Sequence, residues 1–86
     1  MTKASEILNA MSDDQLIALA ISQGWSVGAV CLYDEECVEG WRWESPDDKT
    51  DLSCVGAWDK QHIDDSIRAA IVGDLSARGI TQVFNV

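Results

Sequence analysis

The N-terminal part of the chain carries a helical pattern of apolar residues that is interrupted once. Apolar side chains recur three or four positions apart over residues 3–23, which is the spacing of one face of a helix. Ser12 and Gln15 have the spacing of a capping box, in which each side chain accepts a hydrogen bond from a backbone N–H at a helix start. Gln23 and Gly24 are typical of a helix end. We therefore expect a break near Ser12, giving either a kinked helix or two short helices.

The middle of the chain changes to a period of two, which is the period of a β-strand. Three segments are predicted to be strands from this period or from the loops that flank them: Trp25–Tyr33, Val38–Glu44 and Leu52–Trp58. The connection 34–37 has hairpin length, and 45–51 is a loop by composition. Apolar residues occur on both faces of the first strand, which favours a strand covered on both sides. The three segments together predict an antiparallel meander.

A second helical pattern follows from Asp59, a favourable N-cap residue, to about Arg78. Its apolar positions form one stripe: Ile63, Ile67, Ala70, Ile71 and Leu75. Gly79 ends the helix, and Ile80–Val86 is expected to be a short strand or an extended tail that packs. The order of segments predicts an α+β fold with a three- to four-stranded antiparallel sheet. We expect the N-terminal helix, or two short helices, and the C-terminal helix on one face of it, in a single domain covering residues 1–86.

The tryptophans of the second and third strands help to assign the two sheet faces. Trp41, Trp43 and Trp58 form an aromatic stripe that is most simply part of the core. The other interpretation is an exposed aromatic patch that anchors a partner, since tryptophan is common in binding hot spots. Arg42 must point to the opposite face. If that face is open, Arg42 with Glu44 contributes to a contact surface.

Acidity is the main compositional feature. Fifteen acidic and six basic residues give a net charge of −9 at pH 7. Such a chain is repelled by nucleic acid and by anionic membranes and is attracted to basic surfaces. The other interpretation is that the acidity only keeps a small protein soluble. No apolar run is long enough to span a membrane and no secretion signal is evident, so we expect a cytoplasmic protein.

The predicted meander would gather many of the carboxylates at one edge of the sheet. The turn after the first strand and the start of the second helix should meet there, and a second acidic group should lie at the opposite end. Acidic residues are also common in turns and first helical turns, which accounts for many of them without any function. The candidate partner-binding residues are Asp34, Glu35, Glu36, Glu39, Asp47, Asp48, Asp59, Asp64 and Asp65. Asp51 belongs to the second group by position.

Catalytic and metal-binding patterns are not found. The single histidine, His62, has no neighbouring serine or cysteine in the sequence, so a nucleophilic pair is not indicated. Cys31, Cys37 and Cys54 lack the Cys-x-x-Cys spacing typical of structural zinc sites. In a cytosolic chain they are expected to be reduced thiols that pack as small hydrophobic residues. The sequence therefore predicts no enzyme, no cofactor and no metal site.

In size, charge and α+β composition, the chain resembles the small acidic anti-CRISPR and anti-restriction proteins encoded by phages. Three charge clusters carry this resemblance: Asp34 to Glu36, Asp47 with Asp48, and Asp64 with Asp65. The resemblance implies a nucleic-acid mimic in the host-cell cytoplasm that inhibits a CRISPR effector or a restriction complex. The carboxylates would pair with Lys and Arg of the target, with no direct contact to nucleic acid or membrane. No functional residue is transferred from it.

Two further functions remain open. The first is an immunity or antitoxin-like protein that neutralises one basic toxin, using the same charges and an aromatic anchor such as Tyr33 or Trp41. The second is a self-associating accessory protein that pairs through an edge strand, for which residues 80–86 are a candidate. The chain could be a monomer or a homodimer.

Overall fold

The structure, a computed structural model, describes residues 3–32 and 36–82. Its helices are α1 (Ala4–Asn9), α2 (Asp13–Ser22) and α3 (Asp65–Ala77), and its strands are β1 (Ser26–Leu32), β2 (Val38–Glu44) and β3 (Asp51–Val55). The strands form one antiparallel sheet in the order β1-β2-β3. The predicted α+β fold is therefore confirmed. No helix within the described ranges has the length and apolar character needed to cross a bilayer.

The predicted interruption of the N-terminal helix is confirmed as two short helices. Ser12 is the N-cap of α2, and its hydroxyl accepts a hydrogen bond from the Gln15 N–H at 3.2 Å. The Gln15 side chain accepts in return from the Ser12 N–H at 3.1 Å, which completes the capping box. Because this geometry holds Ser12 in an extended conformation, α1 cannot continue into α2.

The helices pack on one face of the sheet. The register places Trp41 and Trp43 of β2 beside Val27 of β1 and Leu52 of β3, all on the same face. Trp43 is fully buried among apolar side chains of the helices. The largest fully buried helical side chains of this core are Leu8, Leu16, Leu19, Ile67, Ile71 and Leu75. Each contributes roughly 1.5–3 kcal/mol by burial, so this face and the helices hold the fold together.

Two tryptophans connect distant parts of the chain by donating indole hydrogen bonds. Trp43 Nε1 donates to the His62 carbonyl oxygen at 2.9 Å, just before α3. Trp25 is also buried, and its Nε1 donates to Asp74 Oδ2 at 2.9 Å, near the end of α3. Asp74 also accepts from Arg78. These bonds fix both ends of α3 against the sheet.

The predicted tryptophan stripe is correct for Trp43 and only partly correct otherwise. Trp41 shares its face but is half-buried, with its Nε1 donating to the Ala57 carbonyl at 2.6 Å. Trp58 lies beyond the last residue of β3 and is 40% exposed. The third strand is shorter than predicted because the chain leaves the sheet after Val55 to cross towards α3.

The predicted start of the second helix at Asp59 is wrong. The helix begins at Asp65, and Asp64 is the N-cap, with its carboxylate accepting from the Ile67 N–H at 2.8 Å. Residues 56–64 are instead non-helical. This segment buries Ile63 and presents the His62 carbonyl to Trp43, which a helix starting at Asp59 would have used internally. His62 accordingly precedes the helix.

The expectation that the first strand is covered on both faces is also wrong. Ser26 and Gly28 are exposed on one face of β1, and Ala29 and Cys31 are exposed on the other. Among the described strands, β1 pairs with β2 and lies at the edge of the sheet. Residues 80–82 are not a strand, and the rest of the predicted C-terminal strand, 83–86, lies outside the described residues.

The cysteines differ in state. Cys31 and Cys37 form a disulfide with their Cα atoms 5.1 Å apart, across the connection between β1 and β2. The expectation of three reduced thiols is therefore wrong for this pair. Two cysteines at opposite ends of a hairpin connection are brought within bonding distance by the strand pairing. Cys54 is free and buried, as expected of a small hydrophobic residue.

Candidate functional site

Seven of the nine candidate partner-binding residues lie in the described part of the chain, and all seven are exposed: Glu36, Glu39, Asp47, Asp48, Asp59, Asp64 and Asp65. Asp34 and Glu35 lie outside the described residues. The candidate set is therefore a surface feature, as an electrostatic contact requires.

Among the described residues, four basic side chains form ion pairs, and none of the partners described belongs to the candidate set. Arg42 pairs with Glu44 and Asp51, and the other three pairs are Lys60–Asp14, Arg68–Asp13 and Arg78–Asp74. Within residues 3–32 and 36–82, no candidate carboxylate pairs with a Lys or Arg. Glu6 is also exposed and without an ion pair in this part of the chain, and the sequence interpretation did not single it out. The described acidic residues therefore form two groups: those that pair with a Lys or Arg, and those that form no ion pair.

Arg68 shows why this division takes place. Its Nη1 donates to Asp13 Oδ1 at 2.6 Å, and its Nη2 donates to the carbonyl oxygens of Met11, at 2.6 Å, and of Asn9, at 3.2 Å. The arginine is thus occupied in joining α3 to the α1–α2 junction. Basic residues with such structural contacts do not neutralise the candidate carboxylates, so the acidic surplus remains at the surface.

The loop between β3 and α3 begins opposite Glu39. The Gly56 N–H donates to the Glu39 carbonyl at 3.2 Å, which extends the β2–β3 pairing by one residue beyond the strand. The same loop carries Asp59 and leads to Asp64 at the N-terminus of α3. The Glu39 backbone therefore adjoins the start of this loop. Among the described residues, no group of three or more His, Cys, Asp or Glu side chains is arranged to hold a metal ion.

Asp47 and Asp48, at the opposite end of the sheet, lie in the β2–β3 turn, and Asp47 stabilises that turn by hydrogen bonds. Asp47 accepts hydrogen bonds from the Ser45 hydroxyl at 2.5 Å and from the Lys49 N–H at 3.1 Å, and these bonds lower its pKa below the ordinary value. Asp48 adopts a left-handed conformation with φ of 61°, which Asp tolerates better than most residues. The turn therefore explains Asp47 without any partner, whereas Asp48 makes no ion pair within the described ranges.

Asp51 does not contribute free charge to this end of the sheet. Arg42 donates to both of its carboxylate oxygens, from Nε at 2.9 Å and from Nη2 at 2.5 Å. The bonds lower the pKa of Asp51 and raise that of Arg42 above its usual value. The pair lies on the sheet face opposite the helices, which is open, as the conditional prediction for Arg42 and Glu44 required. A shallow depression of about 320 Å³ there is lined by Ser26, Val27, Gly28, Val30, Arg42 and Glu44.

His62 and Cys54 approach each other, but not through the groups that catalysis would use. Cys54 Sγ donates to the backbone carbonyl of His62 at 3.4 Å. Burial raises the pKa of the thiol, with the nearby negative charge of Asp64 acting in the same direction. The contact therefore favours a protonated, structural cysteine over a nucleophilic thiolate.

Comparison with protein-family models, with curated proteins and with solved structures found no match to this chain.

Proposed function

We propose that this chain is a non-enzymatic binding protein that occupies the basic surface of a nucleic-acid-binding complex and thereby inhibits it. The targets that fit this chemistry are a CRISPR effector or a restriction complex, as the resemblance to phage inhibitors implies. The candidate carboxylates would take the place of phosphates and pair with Lys and Arg of the target. Inhibition needs no cofactor and takes place in the cytoplasm of the host cell, where the Cys31–Cys37 pair would be reduced.

The observation that carries this proposal is the separation of the acidic residues into two sets. Acidity that served only solubility would not require the ion-paired carboxylates to lie outside the candidate set, but all those described do. Arg42, Arg68 and Arg78 are each held by hydrogen bonds within the fold. Glu36, Glu39 and Asp59 stay exposed without an ion pair in the described part of the chain. A basic partner can therefore bind them without first breaking an internal contact.

The first experiment is an affinity capture from bacterial lysate, with elution in a salt gradient and identification by mass spectrometry. We expect recovery of a nucleic-acid-processing complex released at moderate salt, because contacts between exposed charges are screened by ions. Recovery of the bait alone would count against the proposal for that host. Release only by denaturant would indicate that the contact is not mainly electrostatic.

A pair of single variants then tests which carboxylates make the contact. Glu39→Lys changes a candidate residue, and Glu6→Lys makes the same charge change outside the set at an exposed residue that forms no ion pair in the described part of the chain. We expect Glu39→Lys to weaken capture strongly and Glu6→Lys to retain most of it. Equal loss in both would mean that only the net charge matters and that the candidate residues form no site.

A second candidate function is an immunity-type protein for one basic toxin, and an exposed aromatic side chain favours it. Trp58 is 40% exposed and is followed directly by Asp59. This is the combination of aromatic anchor and charged rim found in tight protein–protein contacts. The indole N–H of Trp41 already donates to Ala57, so Trp58 is a better anchor than Trp41; Tyr33 lies outside the described residues. Capture of one small basic protein that Trp58→Ala releases would select this function.

A further inference from the structure

We propose that β1 pairs with β1 of a second copy of this chain, antiparallel about a two-fold axis, so that the sheet continues across a homodimer. The proposal goes beyond the function above and does not depend on it. Its first support is that β1 is an edge of the sheet and that β2 is its neighbour there.

The backbone groups that face the free edge follow from the pattern of hydrogen bonds on the other side of β2. The Gly56 N–H donates to the Glu39 carbonyl, and the Ser45 N–H donates to the Thr50 carbonyl. Glu39 and Ser45 both have odd numbers, and the direction of the backbone hydrogen bonds alternates along an antiparallel strand. The odd residues of β2 therefore bond towards β3, and the even residues bond towards β1. The even residues of β1 are their partners. The odd ones, Val27, Ala29 and Cys31, therefore point their N–H and C=O groups to the edge.

The composition of β1 lacks the features that usually protect an edge strand. Its seven residues, Ser-Val-Gly-Ala-Val-Cys-Leu, include no charged residue and no proline, and these are the common obstacles to pairing with another strand. Ala29 at the centre is exposed. No backbone hydrogen bond joins the outer side of β1 to another part of the described chain. An incoming strand would meet backbone donors and acceptors that have no partner in the described chain, and no charged side chain on β1.

Charge is the reason for choosing a second copy as the partner. A chain with a net charge of −9 repels another copy over most of its surface. β1 is uncharged, and on the adjacent open sheet face Arg42 pairs with Glu44 and Asp51. Two copies can therefore meet at β1 without placing like charges opposite each other. Because the strand has seven residues, the pairing would be about 24 Å long at roughly 3.4 Å per residue.

Salt distinguishes this contact from binding to a basic partner. Added salt screens the repulsion between two acidic chains and leaves the neutral strand pairing nearly unchanged, so self-association should become stronger with salt. Binding to a basic target should become weaker over the same range. A failure of one proposal is therefore separable from a failure of the other.

Sedimentation equilibrium over a wide concentration range, at low and high salt, measures the association. We expect the mass to rise from 9.4 kDa towards twice that value, with tighter association at high salt. Ala29→Lys places two lysines against each other at the strand pairing and should weaken association by up to about fivefold. Ala18→Lys, at an exposed position of α2, adds the same charge and should leave it nearly unchanged. A monomer under all conditions, or equal loss in both variants, would overturn the proposal.

Amide hydrogen exchange on the unaltered protein provides a second test. The amides of Val27, Ala29 and Cys31 should become protected as concentration rises, whereas those of Gly28 and Val30 should be protected throughout. A dimer whose formation leaves the first three amides unprotected would use a different surface, and the proposal would then be wrong.

Discussion

Gly40 lies at the tightest point between the strands and allows a sharp test of the sheet geometry. A Cβ atom at this position would stand 2.5 Å from the Cys54 carbonyl oxygen and 2.7 Å from Leu32 Cδ1. The Leu32 side chain can rotate away, but the carbonyl belongs to the backbone of β3. Gly40→Ala therefore forces β2 and β3 apart. Gly28→Ala is the matched control, since nothing lies within 4 Å of a Cβ there.

The expected sizes follow from the two environments. Overpacking against an element that cannot move away costs about 1–3 kcal/mol, so we expect Gly40→Ala to lose about 2 kcal/mol of unfolding free energy. Gly28→Ala should gain about 0.4–1 kcal/mol, because alanine lowers the entropy of the unfolded chain. In a domain of this size each kcal/mol moves the melting temperature by about 4–8 °C.

Urea unfolding followed by tryptophan fluorescence measures both variants. Trp25 and Trp43 are buried, so their emission should shift on unfolding. The midpoint should fall for Gly40→Ala and rise slightly for Gly28→Ala, with the slope unchanged. Equal stability of the two variants would refute the reasoning, since it would mean that the β2–β3 spacing at Gly40 can absorb a methyl group.

Three further predictions concern the contacts that hold the chain together. Arg68→Lys should lower the unfolding free energy by about 1–2 kcal/mol, because the single nitrogen of lysine cannot reproduce the planar geometry by which two guanidinium nitrogens reach three acceptors. Urea unfolding measures the change, and an unchanged midpoint would mean that these contacts do not contribute to stability. The pKa of Asp51 is lowered from 3.8 by Arg42, so its contribution to stability is present above that value and is lost as the pH falls below it. The unfolding free energy of Asp51→Asn should therefore fall less steeply with acid, and an unaltered pH dependence of the unfolding free energy would contradict this. Thiol titration without reductant should detect no reactive group in the folded protein and one, Cys54, after unfolding; more than one would show that the disulfide is absent.

The sequence predicted the elements whose signals are local. The capping box at Ser12 depends on residues three positions apart, and β2 was predicted with its observed bounds because residues 41–44 alternate clearly between aromatic and charged side chains. The start of α3 could not be chosen in this way. Asp59 and Asp64 are both favourable N-cap residues, and the apolar stripe fits either start. The choice is made by Trp43, whose indole needs the His62 carbonyl as an acceptor.

The exposure of the candidate carboxylates was also predictable, because it depends on local sequence. Acidic residues in turns are visible in the sequence, and the seven described candidates are indeed exposed. Which carboxylates are neutralised depends on contacts between distant positions. Arg68 reaches Asp13 across 55 residues, and no local pattern indicates this pair. The disulfide was missed because a cytosolic chain was expected to keep its thiols reduced, although the predicted hairpin already placed Cys31 and Cys37 on either side of one connection.

The position of α3 in the chain has a consequence for synthesis. The sheet is a meander in which each strand pairs with the next, so its pairing is complete once Val55 has been made. Before Ile67, Ile71 and Leu75 follow, only α1 and α2 are available to cover its apolar face. A nascent chain on the ribosome therefore holds an incompletely covered sheet until α3 has emerged. During that interval, chaperones and neighbouring nascent chains compete with α3 for the same surface.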